Sequence, residues 1–195
     1  ANPGGIINQV TKSARANTPS HIELLGGSWD RWRIEGQAAT SLNASGTVNV
    51  IGIGVHEEGG SFMRRVDSAK TVLYAGLDAE LSPGLTGYIH GGYERYRRTS
   101  FDGIPTLPDG SPAPVDRSFF IGSGDFNLVT PVARVNGGLD WEASSALSFS
   151  LKVNYLRSNT TGESGFGFDL QPNGDFFIAI NNITKSTTQA FSAGL

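Results

Sequence analysis

The sequence predicts an all-β, antiparallel fold, a transmembrane β-barrel segment of about eight long meander strands. Three observations predict it. Apolar residues recur with a period of two, many alternating runs exceed ten residues, and short turns alternate with long loops. Strands in soluble proteins usually run about five to six residues, whereas a tilted strand needs about nine to eleven to cross a bilayer. Composition agrees. The 195 residues carry 15 Lys and Arg against 18 Asp and Glu, a net charge of −3. Only 17% of residues are charged, against about 25% in an average soluble domain. Hydrophobic content is a modest 38%. Helix formers are scarce, with a single Met and few Lys and Glu, while Ser, Thr, Asn and Gly (26) dominate, which favours strands and turns over helix. A mildly acidic chain is a poor candidate for broad nucleic-acid binding. The absence of Cys excludes disulfides, thiolate zinc sites and cysteine nucleophiles.

The strands are expected near 20–29, 31–42, 46–58, 67–81, 84–99, 119–142, 146–160 and 175–195. The first two flank a tight tip near Ser28 to Arg31. In the third, Ile51, Ile53 and Val55 continue the apolar alternation. In the fourth, Leu73, Ala75, Leu77, Ala79 and Leu81 alternate with Tyr74, Gly76, Asp78 and Glu80. In the fifth, Leu85, Ile89 and Tyr93 share one face; Thr86, Tyr88, His90, Glu94, Tyr96 and Arg98 share the other. The sixth sets Val129, Ala133, Val135, Leu139 and Trp141 against Thr130, Arg134, Asn136, Asp140 and Glu142. The seventh sets Leu147, Phe149, Leu151, Val153 and Tyr155 against Ser148, Ser150, Lys152, Asn154 and Leu156, a second face polar except for its last member. The last, ending Gln189 to Leu195, reads as the middle of a strand, so the chain reads as a piece of something longer.

The connections at 42–46, 82–84 and 143–146 are short, while 58–66, 99–118 and 161–174 are long. That asymmetry is the one shown by outer-membrane barrels. Pro105, Pro108, Pro112 and Pro114 make the 99–118 loop irregular. Trp141 and Tyr155 stand near the ends of their apolar faces, where an interfacial girdle belongs. A soluble sandwich or barrel with one face in its core gives the same alternation and stays open at this point.

Few residues suggest reaction chemistry. His21, His56 and His90 fall on separate strands without metal-ligand spacing. Glu57-Glu58 and Asp78/Glu80 suit a solvated or lumen face better than catalysis. Gly52-Ile53-Gly54 lacks the strand–turn–helix setting of a nucleotide loop. Nothing supports an enzyme. Arg95, Arg97 and Arg98, with Tyr93 and Tyr96, cluster at the long-loop end of the fifth strand, and Arg64-Arg65 lies in the preceding long loop. Guanidinium groups bind carboxylates and phosphates bidentately. Two uses follow: capture of an anionic ligand entering from outside, or pairing with outer-leaflet lipid phosphates or lumen acids such as Glu94.

Specific strings carry a resemblance. Residues 2–12, Asn-Pro-Gly-Gly-Ile-Ile-Asn-Gln-Val-Thr-Lys, resemble the end of the plug domain of TonB-dependent outer-membrane receptors. Residues 26–33, Gly-Gly-Ser-Trp-Asp-Arg-Trp-Arg, are similar to the first barrel hairpin of the siderophore-receptor branch. Residues 66–74, 140–142 and 154–158 resemble later strands, in order. The resemblance implies a 22-stranded barrel filled by an N-terminal plug. It implies residues 1–18 as the end of the plug and its linker, and 19–195 as the N-terminal part of the barrel. It implies binding and import of ferric siderophores, in the Gram-negative outer membrane, driven through the TonB complex. Outer-membrane lipid and lipopolysaccharide are the further expected partners, with no cofactor beyond the siderophore ligand. A fragment with open strand edges is expected to need the rest of its chain. No contact motif of the family maps onto single positions, so the ligand candidates are positional: Trp29 at the first hairpin tip, and Tyr96 and Arg98 on the polar face. The alternative is a self-contained small outer-membrane barrel, structural or adhesive, whose first and last strands would pair.

Overall fold

The computed structural model describes residues 12–14, 18–100, 103, 105–122 and 126–194. It holds β1 (His21–Gly26), β2 (Trp32–Ser41), β3 (Val48–Gly60), β4 (Asp67–Ser82), β5 (Leu85–Thr99), β6 (Asn127–Ser144), β7 (Leu147–Phe168) and β8 (Phe177–Gly194). These form one eight-stranded antiparallel meander in sequence order. β1 and β8 do not pair, so the sheet is open. The self-contained small barrel is thereby excluded. Among the described residues no second sheet covers the apolar face: Ile89 is 58% exposed and Phe149 55%. A soluble sandwich would bury both, so that reading fails as well. The reading 1–18 as plug end and linker falls mostly outside the described residues.

The faces are assigned by register and by residues 12–14, which lie against one of them, called inner here. Leu77, Ile89, Gly137, Val153 and Ala193 sit side by side on the outer face. Asp78, Tyr88 and Gly138 share the inner one. From Leu85, paired with Trp141, to Tyr93 is eight residues along β5. That is about 27 Å of strand and, at a tilt of ~40°, about 21 Å of height. This nearly spans the ~25 Å apolar band of a membrane barrel. Trp141 stacks on Phe149 at the lower edge of the band, with centroids 5.7 Å apart.

The third strand departs from the expected alternation. Ile51, Ile53 and Val55 face inward, paired with Gly76, Tyr74 and Val72, whereas Val50, Gly52, Gly54 and His56 face outward. Ile51 is buried against the inner cluster described below. An apolar run on the inner wall is stable where other chain covers it, and periodicity alone cannot tell which face is covered.

Two boundaries also differ. β6 starts at Asn127, not 119, because Ile121 and Phe126 are buried beneath the long loop instead of extending a strand. β7 runs to Phe168, not 160, leaving a β7–β8 connection of 169–176. Its glycines explain the extension. A Cβ at Gly165 would come within 2.6 Å of the Phe126 ring, and at Gly167 within 2.4 Å of Ile121. The upper part of β7 is thus a strand shaped to receive the loop. The loop itself is irregular, as its prolines require, and closes on a Thr106–Pro112 bridge. Pro105, Ala113, Ile121, Phe126 and Met63 are buried here, so the apolar interior of the segment lies under this loop.

Candidate functional site

Alternation splits the basic cluster of β5. Tyr93, Arg95 and Arg97 lie on the outer face; Glu94, Tyr96 and Arg98 lie on the inner one. Arg97 is engaged by Asp67 at 3.0 and 3.3 Å and by Asn127 at 3.3 Å. On the inner face Glu94 bridges Lys70 at 3.3 Å and Arg134 at 3.6 Å. Tyr96 stands between Lys70 and Thr130, and Arg98 between Ser68 and Leu128. Below them a recess of about 490 Å³ is lined by Tyr74, Gly92, Glu94, Arg134, Asn136 and Asn154. A Cβ at Gly92 would crowd the Arg134 stem at 3.3 Å. Exposed ion pairs of this kind contribute about 0–1 kcal/mol each. A ligand carrying carboxylates or a delocalised anion can therefore exchange with Glu94 for Lys70 and Arg134 at little loss.

Lower on the inner wall a clasp holds the segment that precedes the barrel. Asp78 accepts the Ala14 N–H at 2.6 Å, and His90 Nε2 lies 3.2 Å from its carboxylate oxygens. The Tyr74 hydroxyl donates to the Lys12 carbonyl. Lys12 Nζ donates to Gln37 Oε1 at 2.8 Å, and the Gln37 amide donates to the Pro19 carbonyl at 2.7 Å. His90 is buried between Tyr88 and Tyr74, with ring centroids 4.9 and 5.9 Å away. Gly76 leaves room for it, since a Cβ there would come within 2.9 Å of the imidazole. The sequence reads Asp78 with Glu80 as suited to a solvated or lumen face, and His90 as a histidine without metal-ligand spacing. The register brings them together, but their third partner is a backbone N–H, which no residue-type motif marks.

At the rim, Trp29 and Asp30 adopt φ values of 61° and 56°. Two successive left-handed residues make the tight hairpin tip that matches strand twist. Trp29 meets Phe62 edge-on at 6.3 Å, and its carbonyl accepts the Gly60 N–H at 2.9 Å. The Arg117 guanidinium lies 5.0 Å over the other ring. Arg64 reaches the same loop through Ser118, whose carbonyl accepts the Arg64 N–H at 3.0 Å. Asp116 accepts the Ser118 N–H at 2.8 Å and its hydroxyl at 2.6 Å. These Ser118 hydrogen bonds hold the Asp116 carboxyl below its ordinary range, with smaller help from Arg64 and Arg117. Of the three ligand candidates, Tyr96 and Arg98 share the inner wall, while Trp29 joins Phe62 and Arg117 in the rim cluster.

The remaining histidines take local partners. His21 lies 3.6 Å from Glu35, and His56 sits between Thr71 at 2.9 Å and Glu58 at 3.2 Å. Among the described residues no three His, Asp or Glu side chains gather as metal ligands.

No family model matches the chain. It is 28% identical over 166 residues to the ferric-pyoverdine M114 receptor PbuA of Pseudomonas sp. strain M114, covering 84% of this chain and 20% of that receptor. It is 31% identical over 80 residues to the ferripyoverdine receptor of Pseudomonas aeruginosa, covering 41% of this chain and 10% of the receptor. Its fold superposes on the pyoverdine outer membrane receptor FpvA of P. aeruginosa PAO1 bound to pyoverdine. The TM-score is 0.85 at 20% identity, over 93% of this chain and 27% of that one. The FpvAI–pyocin S2 complex matches with a TM-score of 0.80 at 21% identity, over 89% and 23%. The chain thus spans about a fifth of the PbuA receptor's length. The resemblance read from its strings holds: the relatives are siderophore receptors, and the chain has the wall of their barrel.

Proposed function

We propose that this chain is part of a TonB-dependent outer-membrane receptor that binds and imports a ferric siderophore. The carrying observation is the open eight-stranded meander with residues 12–14 clasped to its inner face, superposing on the ferripyoverdine receptor barrel. An open sheet leaves edge N–H and C=O groups at β1 and β8, which hydrocarbon does not tolerate. The wall therefore continues into further strands in the assembled protein. The inner face carries Asp78, His90, Glu94 and Arg134 beside the apolar run Ile51, Ile53 and Val55, suited to a plug and a polar ligand; the band from Leu85 to Tyr93 on the outer face is apolar and suited to lipid.

In this reading the siderophore enters past the rim cluster of Trp29, Phe62 and Arg117. It then meets Tyr96 and Arg98, whose phenol and guanidinium, the latter without an ion pair among the described residues, offer flat contact and charge-assisted hydrogen bonds to its anionic oxygens. Iron travels as cargo within the ligand, and no group here performs a reaction on it. Energy comes from the TonB complex acting through the region that precedes residue 12, and the Asp78–Ala14 clasp fixes where that region meets the wall.

The test uses the full-length receptor in a siderophore-receptor deletion strain, scored by uptake of iron-55 presented on purified siderophores, pyoverdines first. Uptake that requires both the receptor and TonB is expected. Arg98→Ala and Tyr96→Ala are expected to weaken binding about tenfold each with the barrel still assembled, a loss of ~1.4 kcal/mol. Receptor-independent uptake, or binding unchanged in both variants, overturns the reading or these two assignments respectively.

A further inference from the structure

The outer face of β1–β5 carries a feature that import leaves unused. Gly36, Gly52, Gly54 and Gly91 floor a shallow apolar depression of about 1070 Å³, edged by Leu73 and Tyr93. Packing within the chain does not demand these glycines. A Cβ at Gly36 or Gly52 would meet nothing within 4 Å, and at Gly54 only the Leu73 side chain at 3.9 Å. None of the four has a positive φ. On neighbouring rows of the same face stand Leu77, Ile89 and Val153. The glycines, with Ala38 and Ala75, therefore leave space on this face between Ile22, Leu73 and Tyr93.

Directly above the depression, on the side of the long loops, runs the outer row Ile34, His56, Thr71 and Arg95. Arg95 is exposed and makes no ion pair or hydrogen bond among the described residues, unlike its neighbour Arg97, held by Asp67. It pairs in register with Thr71, whose hydroxyl is 2.9 Å from His56 Nδ1. Of the acids on this face nearby, Glu58 is engaged by His56 at 3.2 Å and Asp67 by Arg97 at 3.0 Å. Gly91 lies four residues below Arg95 on the same strand, about 13 Å away. Apolar space thus sits at acyl depth beneath an unpaired guanidinium at headgroup depth.

We infer that this face holds one phosphorylated, acylated lipid of the outer leaflet. An acyl chain fills the glycine depression, and a phosphate takes the Arg95 guanidinium with the Thr71 hydroxyl beside it. A second protein copy would fill the depression but leave the guanidinium unused at the top of an apolar surface; a phospholipid-type anion uses both. The inference rests on the membrane-barrel reading with the long loops outward, and it is separate from the siderophore site, because Arg95 and Arg98 lie on opposite faces.

The test takes the full-length receptor in detergent, stripped of lipid and mixed with bisphosphorylated hexa-acyl lipid A. The lipid-bound fraction is read by native mass spectrometry. Wild type is expected to retain one lipid A, and to bind the dephosphorylated form about tenfold more weakly. Arg95→Ala is expected to lower retention about tenfold, Gly54→Leu about fivefold, and Arg98→Ala not at all. Millimolar inorganic phosphate is expected not to displace the lipid. Equal retention of phosphorylated and dephosphorylated lipid by wild type overturns the phosphate assignment without any variant. Retention unchanged in both Arg95→Ala and Gly54→Leu overturns the site, and displacement by inorganic phosphate makes it a free-anion site. Iron uptake by Arg95→Ala and Gly54→Leu is expected to stay at the wild-type level. A receptor that retains lipid yet imports no siderophore sinks the import reading alone.

Discussion

The two faces of upper β5 differ in what they ask of arginine. Outward, Arg95 and Arg97 stand above Tyr93 at the edge of an apolar band; inward, Arg98 and Tyr96 stand above Glu94 in a polar wall. Neighbours one residue apart along the chain thus meet different solvents, because side chains on a strand alternate by face. The difference teaches that a run such as Arg95-Tyr96-Arg97-Arg98 is not one basic patch. It is two half-patches, and each must be assigned to its own partner.

That comparison breaks most readily if charge is tolerated equally on both faces. Ile89→Arg, midway between Leu85 and Tyr93 on the outer face, is expected to destabilise the assembled receptor by about 2–4 kcal/mol and to abolish its heat-modifiable band on gels. Asn136→Arg, inward, is expected to leave the band intact. Equal behaviour of the two would void the facial assignment.

A second prediction concerns how the rim loop is held. Gly167→Val drives a side chain into Ile121, where even a Cβ would stand 2.4 Å away. Overpacking of this kind costs about 1–3 kcal/mol. The 100–126 loop is expected to become protease-sensitive while barrel assembly persists.

The inner wall is sharpened by the clasp. Asp78→Ala leaves the Ala14 N–H and His90 without their shared acceptor, a loss of about 1–3 kcal/mol. With Ala14→Cys as a reporter, thiol labelling of the segment before the barrel is expected to rise several-fold. The corresponding outer-face change, Thr71→Ala, is expected to leave labelling unchanged.

The smallest effect is a pH step at the rim. Ser118 lowers the Asp116 carboxyl, so its contribution is full above the ordinary carboxylate range and fades as pH falls through the lowered value. Trp29 fluorescence is expected to report loosening of the loop below about pH 4. Asp116→Asn is expected to remove that step, and a step that survives it would assign the transition to another group.

Most of the wall was legible because burial on one face leaves a period-two trace. Leu73 to Leu81 and Phe149 to Tyr155 show it plainly, and their register follows it. Ile51, Ile53 and Val55 carry the same trace yet face the other way, since the pattern records that a face is apolar and not which side covers it. Phe119 to Phe126 read as strand for a related reason: an aromatic run under a loop and one in a sheet look alike in one dimension. Tyr96 and Arg98 were placed on the correct face, but the clasp at Asp78 was hidden because a backbone N–H completes it.

The sequence by itself determined the strand count, the two-faced chemistry of the wall, the tight tip near Ser28 to Arg31 and the likeness to siderophore receptors. Those depend on local period, backbone preference and ordered strings. The tertiary structure decided that the sheet stays open, that residues 12–14 lie on its inner face, and that the glycines of β2, β3 and β5 merge into one depression. Such features arise where residues distant in the chain share a surface, and no local pattern encodes that sharing.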